Sequence, residues 1–405
     1  MAPAQQDLPA LTQSMLTDMR AALAGAPAST LMLPSHLYGS GTAAHNQPVI
    51  VLDAGGTNFR CALVTLTDQG PVVESLSQTP MPGTHGTVHW QDLICHFADH
   101  VEPLLSRSSR IGICFSYSAD PQPAGDSLVL NLNKEISIRG GEGRPVGADL
   151  RAELARRGHH DLQTVVLNDT LAVQFGVAAA HQLPVDRCLG LVCGTGANVC
   201  CALPVRQIPK LGQPENVRPM LVNCETGFFT GVRPGEYDRE LDACSQEPGR
   251  YLHEKMVSGA YLGPLCLRTL QGAARDGLFS PAAAKLLHEL QQLSSAQADS
   301  LSGPLAALAG ADRETADAIV SALFDRSAKA VCAALTAVMT LVGGTAPLFI
   351  GAEGSLFQKS RRFRQALDGY MDAYPAGERG FAFSFRTAQN TTLVGAACAA
   401  LLMDT

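Results

Sequence analysis

Apolar residues recur along the chain with two different periods, which alternate from one segment to the next. Residues 8–24 carry an apolar stripe at every fourth position, which predicts an amphipathic helix. The stripe consists of Leu11, Met15, Met19 and Leu23. Short apolar runs at 110–117 and 164–169 predict buried strands, and the second leads directly into a helical pattern. Because strands alternate with helices, the sequence predicts an α/β protein.

Two segments share one design, in which a glycine turn joins two apolar strands. They are PVIVLDAGGTNFRCALVTL at 48–66 and CLGLVCGTGANVCCAL at 188–203. The other predicted elements are a proline- and glycine-bearing connector at 34–48, a helix at 148–158 ended by Gly158, a mostly helical stretch at about 237–340, a strand at 346–355 that ends in glycine, and a helix at 390–403. The repeated turns are therefore candidates for a shared role.

The first glycine turn, from Asp53 to Asn58, has the composition of a phosphate-binding loop. Gly55 and Gly56 permit positive φ and let backbone amides approach an anion. Thr57 and Asn58 add neutral hydrogen-bond donors. Asp53 is predicted to hold Mg²⁺ directly or through water, since Mg²⁺ prefers oxygen ligands and keeps several waters. A plain hairpin is the alternative interpretation, because D-G and G-G are common turn sequences.

The second turn contains Gly194, Thr195 and Gly196, and the same reasoning applies to it. Two such turns, each between apolar strands, favour phosphate binding over a plain hairpin. The sequence lacks other phosphate-binding devices: it has no G-x-x-x-x-G-K-[ST], no G-x-G-x-x-G that opens a helix after a strand, and no H-R-D with D-F-G set. P-loop, dinucleotide-binding and protein-kinase classes are therefore excluded.

Composition narrows the function classes further. The 405 residues are 46% hydrophobic and 17% charged, which excludes a disordered chain, and the net charge of −7 gives no electrostatic case for nucleic acid or an anionic membrane. No apolar run is long enough to span a bilayer, and the N-terminus lacks the pattern of a secretory signal. The twelve cysteines form no C-x-x-C pair, so reduced thiols and a cytoplasmic location are predicted.

Asp169 lies at a position where a catalytic carboxylate could project into a cleft. It lies in Leu167-Asn168-Asp169-Thr170, where a predicted strand ends and a helix begins. Transfer of a phosphoryl group to a hydroxyl needs positioning, charge neutralisation and a carboxylate that accepts the proton. An aspartate that merely caps the helix N-terminus is the alternative interpretation of the same position.

Five ordered motifs, spread over nearly the whole chain, resemble those of the hexokinase family, within the wider group of sugar kinases, actin and Hsp70-type ATPases. The motifs are LMLPSHL at 31–37, VLDAGGTNFR at 51–60, LVCGTGANVC at 191–200, LDACSQEPGRYLHEKMVSGAYLGPL at 241–265 and FIGAEGS at 349–355. The Asn168-Asp169-Thr170 segment matches the family's catalytic segment as well. The cysteine-rich zinc motif of related sugar kinases is not seen.

The resemblance implies a two-lobed actin-like ATPase (ribonuclease H-like) fold with a sugar and ATP cleft between the lobes. The small lobe would comprise 47–169 and 391–405, and the large lobe 1–46 and 170–390. The implied activity is transfer of the γ-phosphoryl group of ATP, with Mg²⁺, to the 6-hydroxyl of a hexose, most simply glucose. Asp169 would be the general base, and such a group contributes about 10²–10⁴-fold.

The resemblance also assigns binding residues by their positions in the motifs. The sugar-binding set is Ser116, Asn133, Lys134, Asn168, Asp169, Asn198, Glu225 and Glu254. The ATP-binding set is Asp53, Gly55, Gly56, Thr57, Asn58, Gly194, Thr195, Gly196, Gly354 and Ser355. Arg60 either supports the first turn or is a solvated arginine at a strand end. Taken alone, Glu225 and Glu254 would be surface carboxylates in most proteins.

Departures from the family pattern concentrate in the sugar loops. A Trp-Thr-Lys-Gly-Phe run is replaced by Leu132 to Ile136, a Phe-Ser-Phe-Pro run by Phe115 to Ser118, and Trp-Gly after the first sugar glutamate by Thr226-Gly227. We therefore expect nucleotide binding and phosphoryl transfer to be kept, and either the sugar preference or the affinity for the sugar to differ from that of a typical glucose-binding member. Two other functions stay open: a sugar sensor with little catalysis, and an ATPase without a sugar site. The oligomeric state, monomer or homodimer, also stays open.

Overall fold

Two β-sheets organise the protein, which we describe from a computed structural model covering residues 7–40, 43, 45–56, 58–132 and 136–402. The strands are β1 (Leu33–Tyr38), β2 (Pro48–Gly55), β3 (Asn58–Thr67), β4 (Gly70–Pro80), β5 (Val88–His89), β6 (Arg110–Phe115), β7 (Ser118–Gln122), β8 (Asp126–Asn131), β9 (Ile138–Arg139), β10 (Gln163–Leu167), β11 (Cys188–Cys193), β12 (Ala197–Pro204), β13 (Pro219–Asn223), β14 (Leu348–Glu353) and β15 (Phe383–Arg386).

Helices cover both sheets. They are α1 (Leu8–Leu23), α2 (Trp90–Val101), α3 (Val146–Arg156), α4 (Asp169–His181), α5 (Glu236–Ala243), α6 (Leu252–Val257), α7 (Gly259–Arg275), α8 (Pro281–Glu289), α9 (Ser295–Ser300), α10 (Gly310–Val342), α11 (Ser355–Lys359), α12 (Arg361–Met371) and α13 (Thr391–Leu402). None of these helices has the length and apolar composition that crossing a bilayer requires.

The first sheet has five strands in the order β10-β6-β2-β3-β4. Strands β2, β6 and β10 run parallel, and β3 returns antiparallel to β2 through the first glycine turn. The second sheet has six strands in the order β1-β13-β12-β11-β14-β15, with β11 and β14 parallel and β12 antiparallel to β11 through the second glycine turn. Each glycine turn therefore lies at the carboxyl end of a buried central strand.

Helices α4 and α13 pack against each other in the core that joins the two sheets. Both are apolar around most of their circumference, which is typical of a buried helix. Two glycines allow their close contact: a Cβ added at Gly176 would lie 2.0 Å from the Thr391 carbonyl oxygen, and one at Gly395 would lie 1.8 Å from that of Ala172. This contact brings the N-termini of α4 and α13 to the same edge of the first sheet.

Most of the predicted elements are confirmed. The helix predicted at 8–24 is α1, and its N-cap Asp7 accepts a hydrogen bond from the Ala10 amide at 3.3 Å. The helix predicted at 148–158 begins two residues earlier, as α3. The connector predicted at 34–48 is wrong in part, because the edge strand β1 forms there and pairs with β13. A short edge strand interrupted by a bulge carries little periodic signal in the sequence.

The lobe boundaries stay a prediction. The structure shows which parts of the chain supply the strands of each sheet. The first sheet draws its strands from residues 48–167, and α13 packs on it. The second sheet takes β1 from residues 33–38 and its other strands from 188–386.

All twelve cysteines are free thiols, and ten of them are buried. Burial raises the pKa of Cys61, Cys193 and Cys398 to about 12. A thiol with a raised pKa is a poor nucleophile, so these side chains serve as small apolar groups in the core.

Candidate active site

A cavity of about 640 Å³ opens between the two sheets, at the carboxyl ends of their central strands. Residues predicted from the sequence line much of it: Asp53, Gly55, Gly56, Ser116, Asn168, Asp169, Gly194, Thr195, Gly196, Asn198, Glu225, Glu254, Gly354 and Ser355. Asn58 does not line the cavity and is exposed at the start of β3. Thr57, Asn133 and Lys134 lie outside the described residues, so their predicted roles stay predictions.

Strand register explains why acidic residues distant in sequence meet here. Asp53 of β2 is paired with Cys114 of β6, and Cys114 is paired with Leu167 at the end of β10. Asp169 follows two residues later, so it reaches the same sheet edge as Asp53. In the second sheet, Val192 of β11 is paired with Glu353 of β14, immediately before the turns of both strands.

Asp169 is the first residue of α4, and the helix is capped by its neighbour. The Asn168 side chain accepts a hydrogen bond from the Thr170 amide at 2.9 Å, so the N-cap interpretation of Asp169 is wrong. Oδ1 of Asp169 accepts from the same amide at 2.7 Å. Burial raises the pKa of Asp169 to about 6, and the Asp53 carboxylate adds to this rise. A carboxylate with such a pKa is suited to accept a proton near neutral pH.

Arg60 supports the first glycine turn through Asp53. Its Nε donates to Oδ2 of Asp53 at 3.0 Å, and its Nη2 makes a second, shorter contact with the same oxygen. Thr392, in the first turn of α13, accepts from Arg60 Nη2 at 2.9 Å and donates to Asp53 Oδ2 at 2.9 Å. The alternative of a solvated arginine is therefore wrong. Sequence reasoning missed Thr392, because only the packing of α13 brings it to β2.

The second glycine turn is held against two neighbouring segments. The amide of Gly259 donates to the Gly194 carbonyl at 2.7 Å, and that of Ala260 donates to the Thr195 carbonyl at 3.2 Å. Gly354 has a φ of +113°, and a Cβ there would lie 2.4 Å from the carbonyl carbon of Cys193. Only glycine permits this approach of β14 to the turn.

A network of amides and carboxylates forms the other end of the cavity. Asn223 donates to Oε1 of Glu225 at 2.6 Å, and Asn198 donates to Oδ1 of Asn223 at 2.7 Å. Asn198 Oδ1 accepts from the Thr226 amide at 3.2 Å, which fixes the orientation of the Asn198 amide. Glu254, in α6, is 8% exposed and faces the cavity behind Gly196. Oriented carboxylates and amides of this kind can form hydrogen bonds with the hydroxyls of a polyol.

Comparison with known proteins decides the family. Two hexokinase family models match the chain, one over residues 1–178 and the other over residues 188–402. The chain belongs to the hexokinase family.

Curated relatives agree with this assignment. Hexokinase-1 of Schizosaccharomyces pombe is 30% identical over 287 residues, which cover 66% of this chain and 58% of the relative. Human Hexokinase-2 is 31% identical over 268 residues, which cover 62% of this chain and 28% of the relative. The match therefore spans less than two thirds of the length of these relatives.

Solved structures show the fold. A hexokinase from Schistosoma mansoni complexed with glucose has a TM-score of 0.82 at 21% identity, covering 98% of this chain and 96% of the other. A ROK family glucokinase from Streptomyces griseus has a TM-score of 0.53 at 18% identity, covering 86% of this chain and 98% of the other. The predicted two-lobed, actin-like α/β fold class is confirmed.

Sequence reasoning missed two acidic residues that line the cavity of this hexokinase-family chain, Glu247 and Glu353, and the second is half-buried. Burial raises the pKa of Glu353 to about 7, with Asp53 and Asp169 adding to the rise and Arg60 opposing it. Its Oε2 is buried without a hydrogen-bond partner among the described residues. The sequence did carry a signal for Glu353, since it ends an apolar strand directly before Gly354. Asp53 likewise lies near the end of an apolar strand, two residues before Gly55.

These carboxylates fit a divalent cation. Three acids, Asp53, Asp169 and Glu353, line one cavity, and an orphaned buried carboxylate oxygen is a suitable ligand for a cation or for its bound water. Within the described ranges, no three His, Cys, Asp or Glu side chains form a ready metal cluster. Mg²⁺ would therefore be held jointly with phosphate oxygens and water, as is usual for this ion.

Proposed function

We propose that this protein is an ATP-dependent hexokinase that transfers the γ-phosphoryl group of ATP to the 6-hydroxyl of a hexose, with glucose as the first candidate. The observation that carries the proposal is the position of Asp169, whose carboxylate lines the cavity between the glycine turns and the glutamates. A carboxylate at that point can accept the proton of a sugar hydroxyl that faces the phosphate of a nucleotide held by the glycine turns.

The cavity supports a division into two subsites. Glu225 and Glu254, with Asn198, would hold the ring hydroxyls of the sugar, and Asn168 and Ser116 line the same cavity. The turns at 53–58 and 194–196, with Gly354 and Ser355, would hold the nucleotide. Backbone amides in glycine turns bind phosphate without steric interference from side chains.

The proposed reaction is a direct displacement. The 6-hydroxyl oxygen forms a bond to the γ-phosphorus while the bond from that phosphorus to the β–γ bridging oxygen breaks, and ADP leaves. Asp169 accepts the hydroxyl proton. Its pKa of about 6 is still below 7, so most of the carboxylate is ionised at pH 7, and the raised pKa makes it a stronger base than an exposed aspartate.

Mg²⁺ is part of the proposal because the donor carries a polyphosphate. Asp53 and Glu353 would hold the ion, directly or through water. When bound, Mg²⁺ neutralises charge on the phosphate oxygens. Arg60 keeps Asp53 at the turn, and a bound cation would offset the burial that raises the pKa of Glu353.

The names of the relatives state an activity and a sugar for those proteins, and the similarity of this chain to them supports the proposal. The curated relatives are named hexokinases, and the similar Schistosoma mansoni structure is described as complexed with glucose. A cytoplasmic location is proposed on the free thiols, since reduced cysteines are typical of that compartment.

A coupled assay of ADP release tests the proposal. Purified protein is given ATP, Mg²⁺ and a panel of hexoses and hexosamines, with Asp169→Ala beside it. Asp276→Ala, an exposed aspartate at the end of α7, is the matched control. Sugar-dependent ADP release that disappears in Asp169→Ala but persists in Asp276→Ala supports the kinase. Sugar binding without turnover would instead indicate a sensor, and ATP hydrolysis indifferent to sugar would indicate an ATPase.

A further inference from the structure

Two of the aromatic side chains that line the cavity come from the same two segments as Glu225 and Glu254. The ring centroids of Phe228 and Tyr251 are 4.2 Å apart, with the ring planes tilted by 44°. Phe228 follows Glu225 by three residues, and Tyr251 precedes Glu254 by three. Each aromatic residue therefore comes from the same short segment as one of the two glutamates.

The backbone of Tyr251 has an unfavourable conformation for an aromatic residue. Its φ is +56° and its ψ is +36°, in the left-handed region. A bulky side chain rarely adopts this conformation, and strained residues of this kind concentrate at functional sites when their surroundings fix them. Glu225, on the opposite segment, is also left-handed, with a φ of +53°.

The loop at 242–251, which carries Tyr251, is fixed by a buried lysine. Nζ of Lys255 is the donor to Asp242 Oδ1 at 2.5 Å, to Ser245 Oγ at 2.8 Å and to the Glu247 carbonyl at 2.7 Å. The side chain of Lys255 is only 5% exposed. The Gly249 amide donates to Oδ2 of Asp242 at 2.9 Å, which closes the loop. These bonds hold the strained backbone of the loop in place.

Arg250 defines the outer side of the aromatic pair. Its guanidinium carbon lies 5.3 Å from the Tyr251 ring centroid and 5.6 Å from that of Phe228. Arg250 also pairs with Oε1 of Glu247 at 2.8 Å, and Glu247 itself lines the cavity. The exposed cation and the loop acid thus orient the rings from the solvent side, since a guanidinium is attracted to an aromatic face.

We propose that Phe228 and Tyr251 form an aromatic wall that packs on the apolar C–H face of the acceptor sugar and determines its affinity. A hexose has a rim of hydroxyls, which Glu225 and Glu254 can bind, and patches of C–H groups, which carboxylates cannot. Aromatic rings bury such patches and exclude water from them. The choice of a hexose as ligand rests on the proposed function.

Glucose binding by titration calorimetry, without nucleotide, tests the wall separately from catalysis. The variants are Tyr251→Asn, since asparagine tolerates the left-handed region, and Phe228→Ala. Each is expected to raise the Kd for glucose about threefold to tenfold, the loss typical of an aromatic contact. Tyr251→Phe, which keeps the ring, is expected to restore the affinity that Tyr251→Asn loses. In the coupled assay the KM for glucose rises in the same proportion while kcat stays within about twofold.

Phe383→Ala is the matched control. Phe383 belongs to another aromatic pair, with ring centroids 5.9 Å apart, on the edge strand β15 outside the cavity. Its loss is expected to leave the Kd for glucose unchanged. Phe228→Leu replaces Phe228→Ala if the alanine variant does not fold, as judged by its thermal unfolding midpoint.

The outcomes separate the two proposals. A Kd for glucose that stays within twofold in both Tyr251→Asn and the Phe228 variant overturns the aromatic wall. An unmodified protein that binds glucose but never phosphorylates it overturns the proposed function, while the variant Kd values still decide the wall. An unmodified protein that binds no hexose overturns both.

Discussion

Replacing the proposed base should make the folded protein more stable while removing its activity. Folding raises the pKa of Asp169 from 3.8 to about 6, mainly because burial disfavours the charged carboxylate. Above pH 6 the folded state therefore carries an ionised group in an unfavourable place, whereas the unfolded state does not. Asp169→Asn removes this charge and keeps an oxygen that can accept the hydrogen bond from the Thr170 amide.

The magnitude follows from linkage. A shift of about two pKa units corresponds to about 3 kcal/mol of destabilisation at pH 7.5, and to about 1 kcal/mol at pH 4.5, where the folded state is protonated. Because folding raises the pKa, the destabilisation is absent when the pH lies below the pKa of Asp169 in the unfolded state. It is complete when the pH lies above the pKa in the folded state. With an unfolding entropy of about 2.1 cal/mol/K per residue over 405 residues, about 3 kcal/mol raises Tm by about 3–4 °C.

The assay is thermal or urea unfolding of the unmodified protein and Asp169→Asn, without nucleotide, at pH 7.5 and pH 4.5. We expect the stability difference to shrink as the pH falls, and turnover to drop by about 10²–10⁴-fold, the contribution of a positioned base. A stability difference that does not change with pH, or a variant less stable at pH 7.5, would refute the assignment of a strained ionised carboxylate at this position.

Four further predictions address the remaining parts of the site. Because the pKa of Asp169 is about 6, kcat/KM for glucose should be about tenfold lower at pH 5 than at pH 7, and a flat profile would show that another group accepts the proton. Arg60→Met removes the partner of Asp53 and should lower kcat/KM for ATP on the order of 10²-fold, measured with saturating sugar, since misplaced reacting groups cost about that much. Chelation of Mg²⁺ by EDTA should abolish turnover without moving the unfolding midpoint of the nucleotide-free protein, and turnover that survives EDTA would exclude the metal from the reaction. Lys255→Met removes the buried donor that three acceptors of the 242–251 loop share and should cost about 1.5–3 kcal/mol in urea unfolding, whereas the exposed Lys285→Met serves as the control that should cost almost nothing.

The sequence by itself determined the elements and most of the candidate site. Apolar periodicity predicted α1, α3 and the strand–turn–strand units, because these signals are local. The glycine turns and Asp169 also carry local signatures, since a turn and a strand end need particular residues. The glycines of both turns and Asp169 line one cavity in the folded chain, and the family that the motifs resemble is the one to which the chain belongs.

Other features depend on contacts between distant segments, which no local pattern records. The edge strand β1 forms because β13 pairs with it, and Thr392 reaches Asp53 because two glycines let α4 and α13 pack closely. The role of Arg60 was open in the sequence, since an arginine at a strand end has the same local pattern whether it is solvated or paired.

Tertiary structure also decided the electrostatics and the aromatic end of the cavity. Parallel pairing of β14 with β11 places Glu353 beside the second glycine turn, and the packing of the two sheets partly buries it near Asp53 and Asp169, which raises its pKa. Phe228 and Tyr251 meet only when the anchored loop folds over the glutamates. Desolvation and ring packing depend on what surrounds a side chain in three dimensions, and the linear order of residues does not specify those surroundings.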